Sequence, residues 1–193
     1  MKKSTIILLV VVGALALWAI SSYNGMVKED ETVGKAWGDV QSAYQRRADL
    51  IPNLVNVVKG YAEHEKGTLE GVIEARAKAT QINLNVEDLT EENMAKLNAA
   101  QGELSSALNK LMAVAEAYPD LKANENFMSL QNQLEGTENR INEVRKAYNT
   151  TVQSYNVKVR KFPGNIRDNI FGVSTKPMFQ ADEAAQKAPE VKF

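Results

Sequence analysis

From Val33 onward the apolar residues of this chain return at third or fourth positions, with Arg47 in the one gap: Val33, Trp37, Val40, Tyr44, Ile51, Leu54, Val58 and Tyr61. That spacing lays them on one stripe of a helix turning about 100° per residue, and no strand-like alternation competes with it. Two further stripes follow. Met94, Leu97, Leu104, Leu108, Leu111, Ala115 and Tyr118 make one, with Gln101 as its polar interruption. The other runs through Phe127, Leu130, Leu134, Thr137, Ile141, Val144, Tyr148, Val152, Tyr155, Val159 and Phe162, about ten helical turns. The first stripe can continue through Leu69, Val72, Ile73, Arg76 and Ala79. A break near Gly67 is expected, because Gly60, Gly67 and Gly71 each cost about 1 kcal/mol relative to alanine inside a helix.

Residues 83–90 (NLNVEDLT) form the clearest loop, with Asp88 or Thr90 as N-cap of the next helix. Pro119 stops the second long helix, Asn124 caps the third, and Pro163-Gly164 ends it. Long amphipathic segments joined by short connections hide their stripes by lying antiparallel. The expected fold is therefore all-α, an elongated antiparallel bundle of three or four long helices following an N-terminal transmembrane helix. Residues 1–27 are the anchor and 28–163 the bundle. Residues 164–193 are a C-terminal segment, in which Ile166 to Phe179 pack back before a mobile tail from Gln180 to Phe193.

The anchor is read from the uncharged run between Ser4 and Val27, which exceeds the roughly 20 residues that cross a bilayer core of about 30 Å. Trp18 and Tyr23 suit the membrane–water interface. A cleaved signal peptide is the rival reading, since Ala19-Ile20-Ser21 resembles a small-residue cleavage site. Lys2 and Lys3 on one side against Lys28, Glu29, Asp30 and Glu31 on the other favour a cytoplasmic N-terminus and an exported bundle.

Composition removes many chemistries. With 23 basic and 24 acidic residues in 193, no strong field exists to attract nucleic acid. The absence of cysteine excludes disulfides, thiolate nucleophiles, cysteine zinc sites and lipoprotein attachment. His64 is the single histidine, so the paired Glu-x-x-His motifs of a di-iron bundle cannot be built. No glycine-rich nucleotide motif is present. Glu63-His64-Glu65 is a solvated turn and not a metal site, because adjacent helix positions do not face one another. No catalytic, metal-binding or cofactor-binding residue is assigned, and no cofactor or small-molecule substrate is implied.

Polar residues inside RRADLIPNLV, Arg46 to Val55, carry the main structural question. Arg47 falls within the apolar stripe beside Tyr44, Ile51 and Leu54. Arg46, Asp49, Asn53 and Asn56 fall on the opposite face, which is either an ordinary solvated face or the candidate contact surface. A buried arginine needs a charged partner, and the third helix offers Glu138 at the stripe edge. The expectation is a polar layer in which Arg47 pairs with Glu138, extended by Arg145 and Gln131, that fixes helix register. The alternative has Arg47 snorkelling to water. Pro52 cannot bond to the carbonyl of Ala48, so a helix through it should kink, leaving that carbonyl for an asparagine or water; a helix start at Pro52 is the other option. The pairs Tyr23-Asn24, Tyr148-Asn149 and Tyr155-Asn156 recur without setting a repeat period.

These residues as a set resemble the LemA family of bacterial membrane-anchored helical proteins. The resemblance rests on the apolar N-terminus followed by YNGMV, on residues 46–76 (RRADLIPNLVNVVKGYAEHEKGTLEGVIEAR), on residues 118–156 (YPDLKANENFMSLQNQLEGTENRINEVRKAYNTTVQSYN), and on the closing phenylalanine elements. It covers nearly the whole chain, with departures mainly around residues 83–93. It implies an N-terminally anchored helical bundle of undefined molecular role, and a small N-terminus outside the cytoplasm, opposite to the charge reading.

The function expected is that of a non-enzymatic envelope scaffold, single-pass in the cell membrane, with protein partners or copies of itself on its polar face. An accessory subunit or regulator of a membrane protease or signalling system, acting through the tail, is the second reading. A hydrolase using Glu135, Glu138 and Glu143 is the third, with no cleft foreseen between close-packed helices.

Overall fold

The computed structural model describes residues 3–162 and 174–180. Among them the elements are α1 (Lys3–Lys59), α2 (Lys66–Gln81), a 3₁₀ turn (Val86–Asp88), α3 (Glu91–Ala115), the single turn α4 (Pro119–Lys122) and α5 (Glu125–Arg160). The described residues contain no strand, and the fold is all-α. The expected turn signals act where their chemistry allows. Thr90 Oγ1 accepts from Asn93 N at 3.1 Å, and Asn124 Oδ1 accepts from Phe127 N at 3.0 Å, each satisfying a free amide of a first turn. The first break falls at residues 60–65 and not near Gly67, which lies in the first turn of α2. Gly60 N and Tyr61 N bond three residues back, to Val57 O and Val58 O, closing α1. Ala62 then turns into the core at 1% exposure, while Tyr61, expected on the stripe, stands 43% exposed.

α1 is a single helix of 57 residues, about 85 Å long. It is the one described helix long and apolar enough to cross a membrane. Its apolar residues from Ile6 to Ile20 are exposed, and burial begins at Met26. No loop separates the apolar segment from the bundle, so the division expected at residue 27 falls within one helix. The helix also runs through Pro52, which excludes a helix start there. The carbonyl of Ala48 that Pro52 cannot use is taken by Arg76 Nε of α2 at 2.7 Å, and not by an asparagine. Arg76 thus completes, from the neighbouring helix, a bond that proline removes from α1.

Pairings along the helices fix their directions. Glu29 meets Lys158, Arg47 meets Glu138, and Tyr61 meets Asn124, so α5 runs antiparallel to α1 along its whole length. Lys78 meets Glu103 at 3.5 Å across the α2–α3 pair. The result is an up-down-up-down bundle of α1, α2, α3 and α5. It is four helices thick only away from the apolar end. Closer to that end the 82–90 loop replaces α2: Trp37 Nε1 donates to Leu84 O at 2.7 Å, and Gln41 Nε2 donates to the same carbonyl at 3.0 Å.

Residues 174–180 then lie extended against α1, α3 and α5, with Phe179 buried between Trp37 and Tyr148. Among the described residues, only α1 and α5 continue past them toward the apolar end. α5 ends at Arg160, just before the expected stop at Pro163-Gly164; Pro163 and Gly164 themselves, the packing of Ile166, Ile170, Phe171 and Val173, and the tail beyond Gln180 lie outside the described residues.

The core is divided. One cluster, toward the apolar end, includes Val33, Trp37, Val40, Met94, Tyr148, Val152 and Phe179. The other, at the far end, includes Ile51, Leu54, Val58, Val72, Leu104, Leu111 and Phe127. Between them lie the buried polar residues Arg47, Gln101 and Thr137.

Candidate functional site

The boundary between the two clusters is a polar layer to which all four bundle helices contribute. Arg47, 2% exposed, enters from α1. Its Nη1 donates to Glu138 Oε1 of α5 at 2.7 Å and to Ser105 Oγ of α3 at 3.0 Å, and its Nη2 donates to Gln101 Oε1 of α3. From α2, Arg76 bonds to Ala48 O on the adjoining turn of α1. The guanidinium carbon of Arg47 stands 5.6 Å from the ring centroid of Tyr44, in reach of a cation–π attraction. Among the described residues, the buried Arg47 Nε and Tyr44 hydroxyl find no hydrogen-bond partner. Burial raises the Tyr44 hydroxyl above the ordinary phenol range, while Arg145 and Arg47 pull it back and Glu138 adds to the rise. Tyr44 is therefore a neutral filler at physiological pH.

The structure brings Arg47 and Glu138 together but builds the rest of the layer from other residues than those expected. Gln131 is exposed. It lies two turns from Glu138, about 10 Å along α5, beyond the span of one guanidinium. Arg145 lies two turns the other way, where its Nη2 donates to Asn98 Oδ1 at 3.1 Å and its guanidinium covers Phe179 at 4.5 Å. Gln101 and Ser105 take those places. Gln101 was visible as the polar gap in its stripe, but nothing in the spacing of one helix tells its height against another.

On the outside of α1, Arg46, Asp49, Asn53 and Asn56 are all exposed. Asp49 accepts from Gln45 Nε2 at 2.7 Å. Pro52 is also exposed, so this face carries no backbone donor at that position. His64 stands exposed in the turn after α1, and no cluster of metal-ligating side chains occurs among the described residues.

A second constellation holds the extended segment. Asn149 Nδ2 donates to Phe179 O at 2.9 Å and Asn149 Oδ1 accepts from Phe179 N at 2.8 Å. Asn156 does the same to Lys176, at 2.8 Å each way. Each side-chain amide thus mimics a strand neighbour for one residue of the strap. The spacing explains why two suffice: seven helical residues rise about 10.5 Å, and three extended residues span about 10 Å. Tyr148 donates its hydroxyl to Pro177 O at 3.0 Å, and Lys176 Nζ reaches Asp30 Oδ1 at 3.0 Å. Burial pushes the Tyr148 hydroxyl well above the ordinary phenol range, which keeps that donor protonated. The rings of Trp37, Tyr148 and Phe179 pack at centroid separations of 5.3 to 6.1 Å. The repeated Tyr-Asn pairs on α5 are the sequence trace of this clamp.

What the arrangement does chemically is hold and orient. A guanidinium in a crowded layer, two amides spent on backbone and a stacked aromatic triad all set geometry.

Magnetosome protein MamQ 2 of Paramagnetospirillum magneticum is 26% identical over 179 residues, covering 84% of this chain and 66% of that protein. Protein LemA of Metamycoplasma hominis is 24% identical over 160 residues, covering 83% and 69%. Magnetosome protein MamQ of Magnetospirillum gryphiswaldense is 24% identical over 206 aligned positions, covering 95% and 76%. The chain thus spans just under two thirds of the first of these relatives. The profile of the LemA family matches residues 36–193, beginning on the buried part of α1 just before Trp37, and on that match the chain belongs to the LemA family.

Proposed function

We propose that this protein is a non-enzymatic scaffold of the bacterial envelope, tethered through residues 1–27 and presenting residues 28–163 as a rod to protein partners or to further copies of itself. One observation carries the reading: α1 passes without interruption from its exposed apolar segment into the bundle core. A helix shared in this way transmits the orientation of the anchor to the bundle, which a flexible linker would not do. The polar layer supports it. A hydrogen-bonded charge pair between the buried Arg47 of α1 and the half-buried Glu138 of α5, with α3 supplying two more acceptors, selects one register among the several that apolar stripes allow. The exposed Arg46, Asp49, Asn53 and Asn56 supply the contact face, on a rigid helix where side-chain positions are set in advance.

The test is photo-cross-linking in native membranes from an unnatural residue placed at Asn53 or Asn56. The expected outcome is one or a few reproducible adducts from these positions and none from Lys110, an exposed residue on α3. Equal, diffuse labelling from all three positions would remove the contact face from the account.

A further inference from the structure

The apolar end of the bundle carries side chains that neither the core nor the strap uses. Met26 and Val159 belong to the same core cluster, and Glu29 pairs with Lys158. Past Arg160, the last residue of α5, the chain carries Phe162 to the level of Ser22 on α1. A shallow hollow there is lined by Trp18, Ser22, Gly25, Met26, Lys161 and Phe162. Phe162 is 80% exposed and Trp18 is 45% exposed. Around them Lys28, Arg160 and Lys161 are exposed, and no carboxylate among the described residues pairs with any of the three.

The basic last turn of α5 complements the negative end of its dipole, but a dipole gives no reason for a bare phenylalanine at the same tip. The depth of the feature gives one. As a helix the uncharged stretch from Ser4 to Val27 is about 36 Å long, against a hydrocarbon core of about 30 Å. Ser22 to Gly25 therefore stand at the boundary between acyl chains and headgroups, the level where aromatic rings and basic side chains are favoured.

We propose that the end of α5 is a second membrane contact, with Phe162 at the acyl–headgroup boundary of the bilayer that α1 spans and Lys28, Arg160 and Lys161 on the phosphates of anionic lipids. The contact rests on the reading of α1 as a membrane span. Two points of attachment, joined by the Glu29–Lys158 pair, limit how far the rod tilts about its anchor.

The chain's two tryptophans allow a test on the full-length protein in vesicles of phosphatidylcholine and phosphatidylglycerol, with the acyl chains brominated near the headgroup as quencher. Trp37 is buried at 2% exposure and lies in the bundle, and serves as the unquenched reference. In a Trp18→Phe/Phe162→Trp variant the new tryptophan should lose roughly half its emission, as an aromatic at headgroup depth does, whereas Trp18→Phe alone should lose none. Adding Arg160→Glu and Lys161→Glu, or omitting phosphatidylglycerol, should restore most of the emission. Quenching of Trp18 in the wild-type chain without quenching of the new tryptophan overturns the second contact and leaves the anchor standing. Quenching that ignores both charge reversal and lipid charge overturns the role of anionic lipid. If Trp18 itself is unquenched, the span fails and the proposal fails with it.

Discussion

Replacing Glu138 by alanine is expected to destabilise the folded bundle by about 3 kcal/mol, the lower end for breaking a buried ion pair. Arg47, at 2% exposure, would keep Gln101 and Ser105 but lose its one charged partner among the described residues. Glu138 is itself 37% exposed, so water can enter in its place and limits the loss. Glu138→Gln, which keeps an acceptor and removes the charge, should cost about half as much. The double variant Arg47→Met/Glu138→Leu should recover most or all of the stability, since apolar replacements of a buried pair are commonly neutral or stabilising. The measurement is thermal unfolding of the detergent-solubilised chain followed by circular dichroism. Additive losses in the double variant would show that the two residues do not act as a pair.

Phe179→Ala should have a comparable effect confined to one end. Phe179 is buried against Trp37, Tyr148 and the Arg145 guanidinium, and truncating a buried phenylalanine costs about 3 kcal/mol or more. The strap has little else to hold it than Asn149, Asn156, the Tyr148 hydroxyl and the Lys176–Asp30 pair. It should detach before the helices melt. Hydrogen exchange reads this directly, because the amides of Lys176 and Phe179 donate to the two asparagines. Their exchange should accelerate about 100-fold, the kinetic equivalent of that loss. Amides around Leu104 and Leu111, in the far cluster, should be unchanged. Asn149→Ala should give a smaller acceleration at Phe179, about fivefold, consistent with about 1 kcal/mol for the bonds lost. Retained protection at Lys176 and Phe179 in Phe179→Ala would mean that the aromatic contact is not what docks the segment.

Much of this architecture is legible from spacing alone, because a three-four stripe declares both the helix and the face it buries. Thr90 and Asn124 declare the caps, and the unbroken stripe across Pro52 declares a helix that continues through it. What spacing does not carry is height. Gln131, Glu138 and Arg145 share a face of α5 and are separated by two turns each, so periodicity treats them alike, whereas Arg47 reaches only one level. Gln101 and Ser105 win their places because α3 runs parallel to α1 at that level, a fact of packing between helices. The partner of the Ala48 carbonyl was hidden for the same reason: Arg76 sits on another helix, within what reads as an apolar stripe. The strap was hidden for a different one. Residues 174–180 have no periodicity, and Asn149 and Asn156 advertise a seven-residue spacing without naming the extended segment that spacing fits. Membrane charge behaves likewise, since a count along the chain finds Lys28 beside the span but not Arg160 and Lys161, which the fold brings to the same level.

The scaffold reading and the second membrane contact both depend on α1 being one rod from the apolar segment into the core. Hydrogen exchange of the full-length chain in lipid nanodiscs, resolved across residues 20–34, measures that continuity. An unbroken helix requires every amide from Ser21 to Gly34 to bond four residues back, so slow exchange is expected throughout, with no seam at Gly25 or at Lys28 to Glu31. Exchange within seconds over Asn24 to Asp30, with protection on either side, would mean a hinge between anchor and bundle and would contradict the scaffold built on a shared helix.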